Sequence, residues 1–245
     1  MADGATGNRD DVYVWHAQVD QTWNDRARLA RAIEWLTPPE RARYARYRFE
    51  IDRAMFLLGR VMARTLVGRA LGVAPRAWIW RDGARGRPEV ADPPSAIHFN
   101  LAHSTGVVVC AVSCDHAVGV DVEDRERHVI DRRLVRRFCS AQEADDIEAA
   151  GDRWRDRFLR YWTLKEAYLK ARGVGIAVHL ADVNFVMHGD RAPVLQPIGS
   201  LVHEAADWAF ALTSVAPRHY VAVAVPSPRP DRRFVVEPLP LDWLP

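Results

Sequence analysis

Two acids share one short apolar stretch, Gly119-Val120-Asp121-Val122-Glu123. The valines predict a β-strand. Alternate side chains of a strand share a face, so Asp121 and Glu123 stand on one side, about 7 Å apart along it. Such a pair is either a solvated edge or a site for a hard cation; Mg²⁺ takes one or two carboxylates together with substrate phosphates. A second charged group falls in Trp162-Thr163-Leu164-Lys165-Glu166-Ala167-Tyr168-Leu169-Lys170. On a helix Glu166 and Lys170 share a face, and an ordinary surface pair of this kind contributes about 0.2–0.5 kcal/mol. Phe158, Trp162 and Tyr168, however, make much of that helix a buried surface. A charged triple of Lys165, Glu166 and Lys170 on such a helix points to a cleft, with Glu166 as a third metal ligand and the lysines neutralising phosphates.

Other polar segments admit two readings each. His98-Phe99-Asn100-Leu101-Ala102-His103-Ser104 ends a strand and enters a turn, where His103 is either a capped turn residue or a donor to an anion. The loop Arg85-Gly86-Arg87-Pro88 is a solvated hairpin or a phosphate clamp, which Arg53 of the preceding helix can join. Of 34 Lys and Arg residues only Lys165 and Lys170 are lysines, leaving 32 arginines. Codon bias produces such a skew; so does a need for compact ammonium groups in one segment. Together these signals describe one polyphosphate ligand, with cations and a His at one end and a three-carboxylate Mg²⁺ site at the other.

The elements that must position these residues follow from periodicity and punctuation. Strands are expected at 12–19, 76–81, 97–101, 107–113, 118–122, 183–187, 208–214 and 220–225. Thr37-Pro38-Pro39-Glu40 and Ser140-Ala141-Gln142-Glu143 are capping boxes that open helices, the second ending near Gly151. Longer helices run over about 52–71, closed by Gly72, and about 152–172, stopped by Gly173 and Gly175. Each half reads as a long helix with strands, a hint of internal duplication with a joint near 114–117. The expected organisation is a disordered tail over 1–11, an N-terminal lobe over 12–115, a C-terminal lobe carrying the Mg²⁺ site over 116–225, and a Pro-rich tail over 226–245.

Composition removes several function classes. The 245 residues are 49% apolar and 27% charged, the balance of a globular protein. No run of about 18 apolar residues exists, so no membrane span is expected. The polar N-terminus lacks the apolar core of a secretory signal. Three cysteines, Cys110, Cys114 and Cys139, without a CxxC pair, suit a reducing cytoplasm. A formal charge of +2 gives no argument for nucleic acid, and Arg132-Arg133 with Arg136-Arg137 form a basic helical face without a nucleic-acid motif. An Mg²⁺-dependent nuclease or phosphohydrolase is the alternative enzyme class, but the Glu-x-Lys of one common nuclease arrangement sits on a strand just after the Asp, whereas Glu166 is far downstream on a helix.

From about residue 37 to 185 the chain resembles the Sfp-type 4′-phosphopantetheinyl transferases. The resemblance rests on Asp52-Arg53 with Leu57-Leu58-Gly59-Arg60, Gly86-Arg87-Pro88, Phe99 to Ser104, Gly119 to Glu123, and Trp162 to Lys170 followed by Gly173-Val174-Gly175. It implies an α+β fold of two similar α/β lobes in pseudo-twofold arrangement with the active site between them, in a monomer. It implies coenzyme A and an apo acyl or peptidyl carrier protein as partners, and no nucleic acid or membrane. The carrier's serine attacks the β-phosphate of coenzyme A, and adenosine 3′,5′-bisphosphate leaves. Asp121, Glu123 and Glu166 match the family's Mg²⁺ ligands, and Glu166 also its general base. Lys170 matches a lysine at the coenzyme phosphates, with Lys165 beside it. His103 matches the holder of the 3′-phosphate. Arg53, Arg85, Gly86, Arg87, Pro88, Asn100 and Ala102 fall in the segments that bind the nucleotide. Two positions depart from the pattern: Ala102, where the family often has Ser and where a backbone amide must serve, and Met55, where many members carry a second Arg.

Overall fold

The computed structural model describes residues 10–23, 25–83, 88–126, 130–174, 178–189, 191–202, 208–229 and 231–245. The tail expected to be disordered lies outside the described residues through residue 9, and so do Arg85, Gly86 and Arg87 of the expected phosphate clamp. The chain forms two compact units, Met1–His116 with Arg233–Pro245, and Ala117–Arg232. Each mixes helix and sheet, so the fold class is α+β.

The first unit contains β1 (Val12–Gln18), α1 (Val19–Thr22), α2 (Arg26–Glu34), α3 (Pro38–Arg46), α4 (Glu50–Leu71), β2 (Ile79–Asp82), β3 (Pro88–Asp92), β4 (His98–Ser104), β5 (Val107–Ser113) and β11 (Phe234–Pro238). Its main sheet has the order β11-β1-β5-β4, and β2 pairs with β3. The capping box that opens α3 forms as the spacing predicts, the Thr37 amide donating to Glu40 Oε2 at 2.8 Å. Leu57, Leu58, Val61 and Met62 of α4 are fully buried in one core with Val108, Cys110 and Val112 of β5. The helix ends on Gly72 at φ 71°, a left-handed cap that glycine adopts without a Cβ clash.

The Pro-rich end of the chain differs from a plain surface tail. Phe234-Val235-Val236 supplies enough β-forming side chain for β11 to run parallel to β1, Val12–His16 lying opposite Phe234–Pro238. That pairing satisfies the edge of β1, which would otherwise present unpaired backbone groups. Leu239 and Leu244 then enter the core of this unit.

The second unit contains β6 (Gly119–Asp124), α5 (Arg133–Phe138), α6 (Ala141–Ala149), α7 (Trp154–Arg172), β7 (Phe185–Val186), β8 (Val194–Leu195), β9 (Trp208–Val215) and β10 (His219–Pro226). Its sheet has the antiparallel order β6-β10-β9. The capping box at Ser140 forms, with the Ser140 hydroxyl accepting from the Glu143 amide at 3.1 Å. The helix α7 is buried over most of its circumference, as its aromatic content requires: Phe158, Leu164, Tyr168 and Leu169 share a core with Phe210 and Ala222. It closes on Gly173 at φ 65°. Among the described residues no helix is long and apolar enough to cross a membrane, and none of the three cysteines forms a disulfide.

Candidate active site

Gly119 decides how closely α7 can approach β6. A Cβ at this position would stand 2.1 Å from the Ala167 carbonyl oxygen and 2.3 Å from the Ala171 nitrogen. Only glycine lets helix backbone rest on strand backbone here. The consequence is local: Trp162, Glu166 and Lys170, spaced i, i+4, i+8 along one stripe of α7, meet the acids of β6.

Lys170 Nζ lies 2.6 Å from Asp121 Oδ1 and donates to the Val120 carbonyl at 3.2 Å. Asp121 is 7% exposed. Its second oxygen, Oδ2, is buried and has no hydrogen-bond partner. Burial pushes the Asp121 carboxyl up to about 7; Lys170 opposes the rise, and the negative charges of Glu123 and Glu166 add to it. Glu166 is half-buried, and its pKa too is raised, first by burial, with Lys170 pulling down and Glu123 pushing up. Glu123 is held from the helix side, where Trp162 Nε1 donates to its Oε1 at 3.0 Å. The Trp162 ring stacks on Phe158 at 6.0 Å and leans on Phe138 at 5.3 Å.

The three acids of the expected cation site therefore interact with one another. Their chemistry fits a hard divalent ion: carboxylate oxygens only, mutual repulsion that a cation would relieve, and one buried oxygen without a partner. They are not closed around a common point. Among the described residues no group of three or more His, Cys, Asp or Glu side chains stands in coordinating geometry, and Lys170 holds one of the two Asp121 oxygens.

The expected role of Lys165 at phosphates is corrected. Lys165 is wholly buried, its Nζ 2.7 Å from Glu143 Oε2 and donating to the carbonyls of Leu180 at 2.8 Å and Val183 at 2.5 Å. All three ammonium protons are used. The reason is rotational: five residues of α-helix turn the side chain by about 140° from Lys170, which carries Lys165 into the core.

Arg53, Pro88, Asn100, Ala102 and His103 belong to the first unit. Arg53 sits near the start of α4, donating to the Tyr47 carbonyl at 2.9 Å with its guanidinium 5.6 Å from the Tyr44 ring centre. Pro88 opens β3. On β4, Asn100 and Ala102 are buried and His103 is exposed, so Ala102 brings its backbone and a methyl group to this strand. The sequence reading missed a cavity of about 690 Å³ in this unit, walled by Arg41, Arg43, Arg60, Arg64, Trp78 and Trp80. It also passed over Trp162 as a hydrogen-bond donor, although its i, i+4 spacing to Glu166 was a usable signal.

Comparison with known proteins decides the family. Residues 117–225 match the model of the 4′-phosphopantetheinyl transferase superfamily, and residues 21–115 match that of the 4′-phosphopantetheinyl transferase N-terminal region. The 4′-phosphopantetheinyl transferase HetI of Nostoc is 35% identical over 171 residues, 69% of this chain and 71% of that protein. The chain belongs to the 4′-phosphopantetheinyl transferase family. A phosphopantetheinyl transferase of Thraustochytrium is 32% identical over 227 residues, 87% of this chain and 78% of its own length. Among solved structures, the holo-acyl-carrier-protein synthase of Thermotoga maritima aligns with 46% of this chain and 64% of its own at 26% identity and a TM-score of 0.37, too slight an overlap to bear on the fold. The chain is thus a phosphopantetheinyl transferase enzyme, and the nuclease or phosphohydrolase alternative finds no support among these relatives. Two of the stretches that carry the resemblance in this phosphopantetheinyl transferase, β6 and the second half of α7, meet at Lys170 and Asp121.

Proposed function

We propose that this transferase moves the 4′-phosphopantetheine arm of coenzyme A onto a serine of an apo acyl or peptidyl carrier protein, working with Mg²⁺ and as a monomer. The serine oxygen forms a bond to the β-phosphorus of coenzyme A. The bond from that phosphorus to the bridging oxygen breaks, and adenosine 3′,5′-bisphosphate carries the bridging oxygen away. The serine proton goes to Glu166, directly or through a water. The observation that carries this reading is the pairing of buried Asp121 with Lys170, in electrostatic reach of Glu123 and Glu166.

Each residue has a share in that chemistry. Asp121, Glu123 and Glu166 would hold the Mg²⁺, which when bound neutralises diphosphate oxygens and orients them. Phosphoryl transfer asks for charge neutralisation and in-line placement more than for covalent chemistry. Lys170 is a mobile point charge whose proton donors pass from Asp121 to a phosphate oxygen. The pKa of Glu166 is raised in the metal-free site, but a cation held by Glu166 would lower it, which favours a proton relayed from the serine through water. By the family resemblance, His103 would take the 3′-phosphate and Arg53, Pro88, Asn100 and the Ala102 backbone would contact the nucleotide, together with Arg85, Gly86 and Arg87, which lie outside the described residues.

Intact-mass measurement of apo carriers incubated with coenzyme A and the protein tests this reading. The expected result is a gain of one phosphopantetheine on the carrier serine and equimolar bisphosphate; nucleotide release in the absence of any carrier would contradict it.

A further inference from the structure

Trp162 is more than a core aromatic. Its indole N–H meets Glu123 Oε1 at 3.0 Å, its ring is braced by Phe158 and Phe138, and it lies on the same stripe of α7 as Glu166 and Lys170. We infer that Trp162 is a positioning residue, whose indole N–H aims the Glu123 carboxylate at a divalent cation; this inference rests on the metal reading proposed above.

A glutamate has three rotatable side-chain bonds, and fixing them costs conformational entropy each time a ligand is bound. Holding one carboxylate oxygen in advance removes part of that cost. Hydrogen bonds of this kind to ligating carboxylates are worth about 10–100-fold in metal affinity or activity. The donor's neutrality matters. A lysine or arginine would hold Glu123 equally well, but its charge would repel an arriving cation, as Lys170 competes for Asp121. Indole has a single N–H and no charge. It gives direction without electrostatic opposition. Braced by two rings, it also gives that direction rigidly.

Trp162→Phe keeps an aromatic ring against Phe158 and Phe138 and removes the N–H together with the pyrrole half of the indole. Mn²⁺ is the probe, titrated by electron paramagnetic resonance into full-length protein with and without coenzyme A, alongside Mg²⁺ titrations of turnover and a thermal melt. The expected result is Mn²⁺ affinity about tenfold weaker than wild type, a matching rise in the Mg²⁺ concentration for half-maximal rate, recovery of most of kcat at saturating Mg²⁺, an unchanged KM for carrier, and a melting temperature lowered only slightly by the smaller ring. Wild-type Mn²⁺ affinity in the variant overturns the inference and leaves the metal reading standing. A melting temperature lowered with unchanged Mn²⁺ affinity does the same, by assigning Trp162 a packing role. A wild-type protein that binds no Mn²⁺ with or without coenzyme A overturns both.

Discussion

Lys170 Nζ and Asp121 Oδ1 stand 2.6 Å apart, yet the other oxygen of Asp121 is buried without a partner. One half of this carboxylate is satisfied and the other half is not. A buried acceptor left unmade costs about 1–3 kcal/mol, so the site stores an electrostatic cost that an arriving cation can remove.

The pH dependence of that cost has a definite sign. The Asp121 carboxyl is pushed up to about 7 by burial, against about 3.9 in an unfolded chain. Between these values the folded protein binds more protons than the unfolded one, so this group's contribution to stability falls as pH rises through that window. Asp121→Asn removes the titrating group. In metal-free buffer the melting temperature of the variant relative to wild type is expected to increase between pH 5 and pH 8, while transfer is lost at every pH. A difference in melting temperature that does not change with pH would contradict the assignment.

Glu166→Gln keeps the shape of the side chain and removes its basicity. Turnover should fall by at least about 100-fold, the usual scale of general-base loss, with circular dichroism unchanged and the melting temperature at neutral pH not lowered, because the raised pKa of Glu166 means its charge opposes folding there. Retained turnover at saturating Mg²⁺ would remove Glu166 from both of its roles.

Gly119→Ala should act through the fold. Its Cβ would overlap the Ala167 carbonyl oxygen at 2.1 Å, and both neighbours are backbone, which cannot swing aside. Urea denaturation is expected to show a loss of about 3 kcal/mol or more, with activity falling because α7 is lifted from β6. A variant of wild-type stability would show that the helix seat is looser than this contact indicates.

Lys165→Met should be severe for stability. It leaves Glu143 buried without its cation, a change that costs about 3–5 kcal/mol. Lys165→Met combined with Glu143→Gln neutralises both members and keeps an acceptor for one of the two amides, Ser140 and Phe185, that donate to separate oxygens of Glu143 at 2.8 Å each; it should recover part of the loss. A stable Lys165→Met protein with a raised KM for coenzyme A would return Lys165 to the phosphates.

The contrast between the two lysines shows what can be read from this sequence and what cannot. The ends of α4 and α7 were legible because Gly72 and Gly173 are local stop signals, and α3 and α6 because capping boxes are written within four residues. The expected strands at 107–113 and 208–214 emerge as β5 and β9 within a residue, since runs of β-branched and apolar side chains announce them. Helix α2 went unread although its signal is local: Leu29, Ala32 and Ile33 keep 3–4 spacing between arginines, and the Asp25 carboxylate caps it by accepting from the amides of Ala27 and Arg28. Strand β11 was hidden by flanking prolines and by its dependence on β1, more than two hundred residues earlier. The fate of Lys165 depended on Glu143, Leu180 and Val183, contacts that only the folded chain brings together. Asp121, Glu123, Glu166 and Lys170 could be named from spacing, but not the hydrogen bond from Trp162 to Glu123.

Transfer by wild-type protein stripped of metal and then titrated with Mg²⁺, in parallel with Asp121→Ala, tests the central claim most directly, with the mass of the carrier as readout. The expected result is no phosphopantetheine on the carrier before Mg²⁺, full modification by wild type as Mg²⁺ is added, and none by Asp121→Ala at any Mg²⁺ concentration despite an intact fold. Full modification by metal-stripped wild type, or by Asp121→Ala, would contradict it.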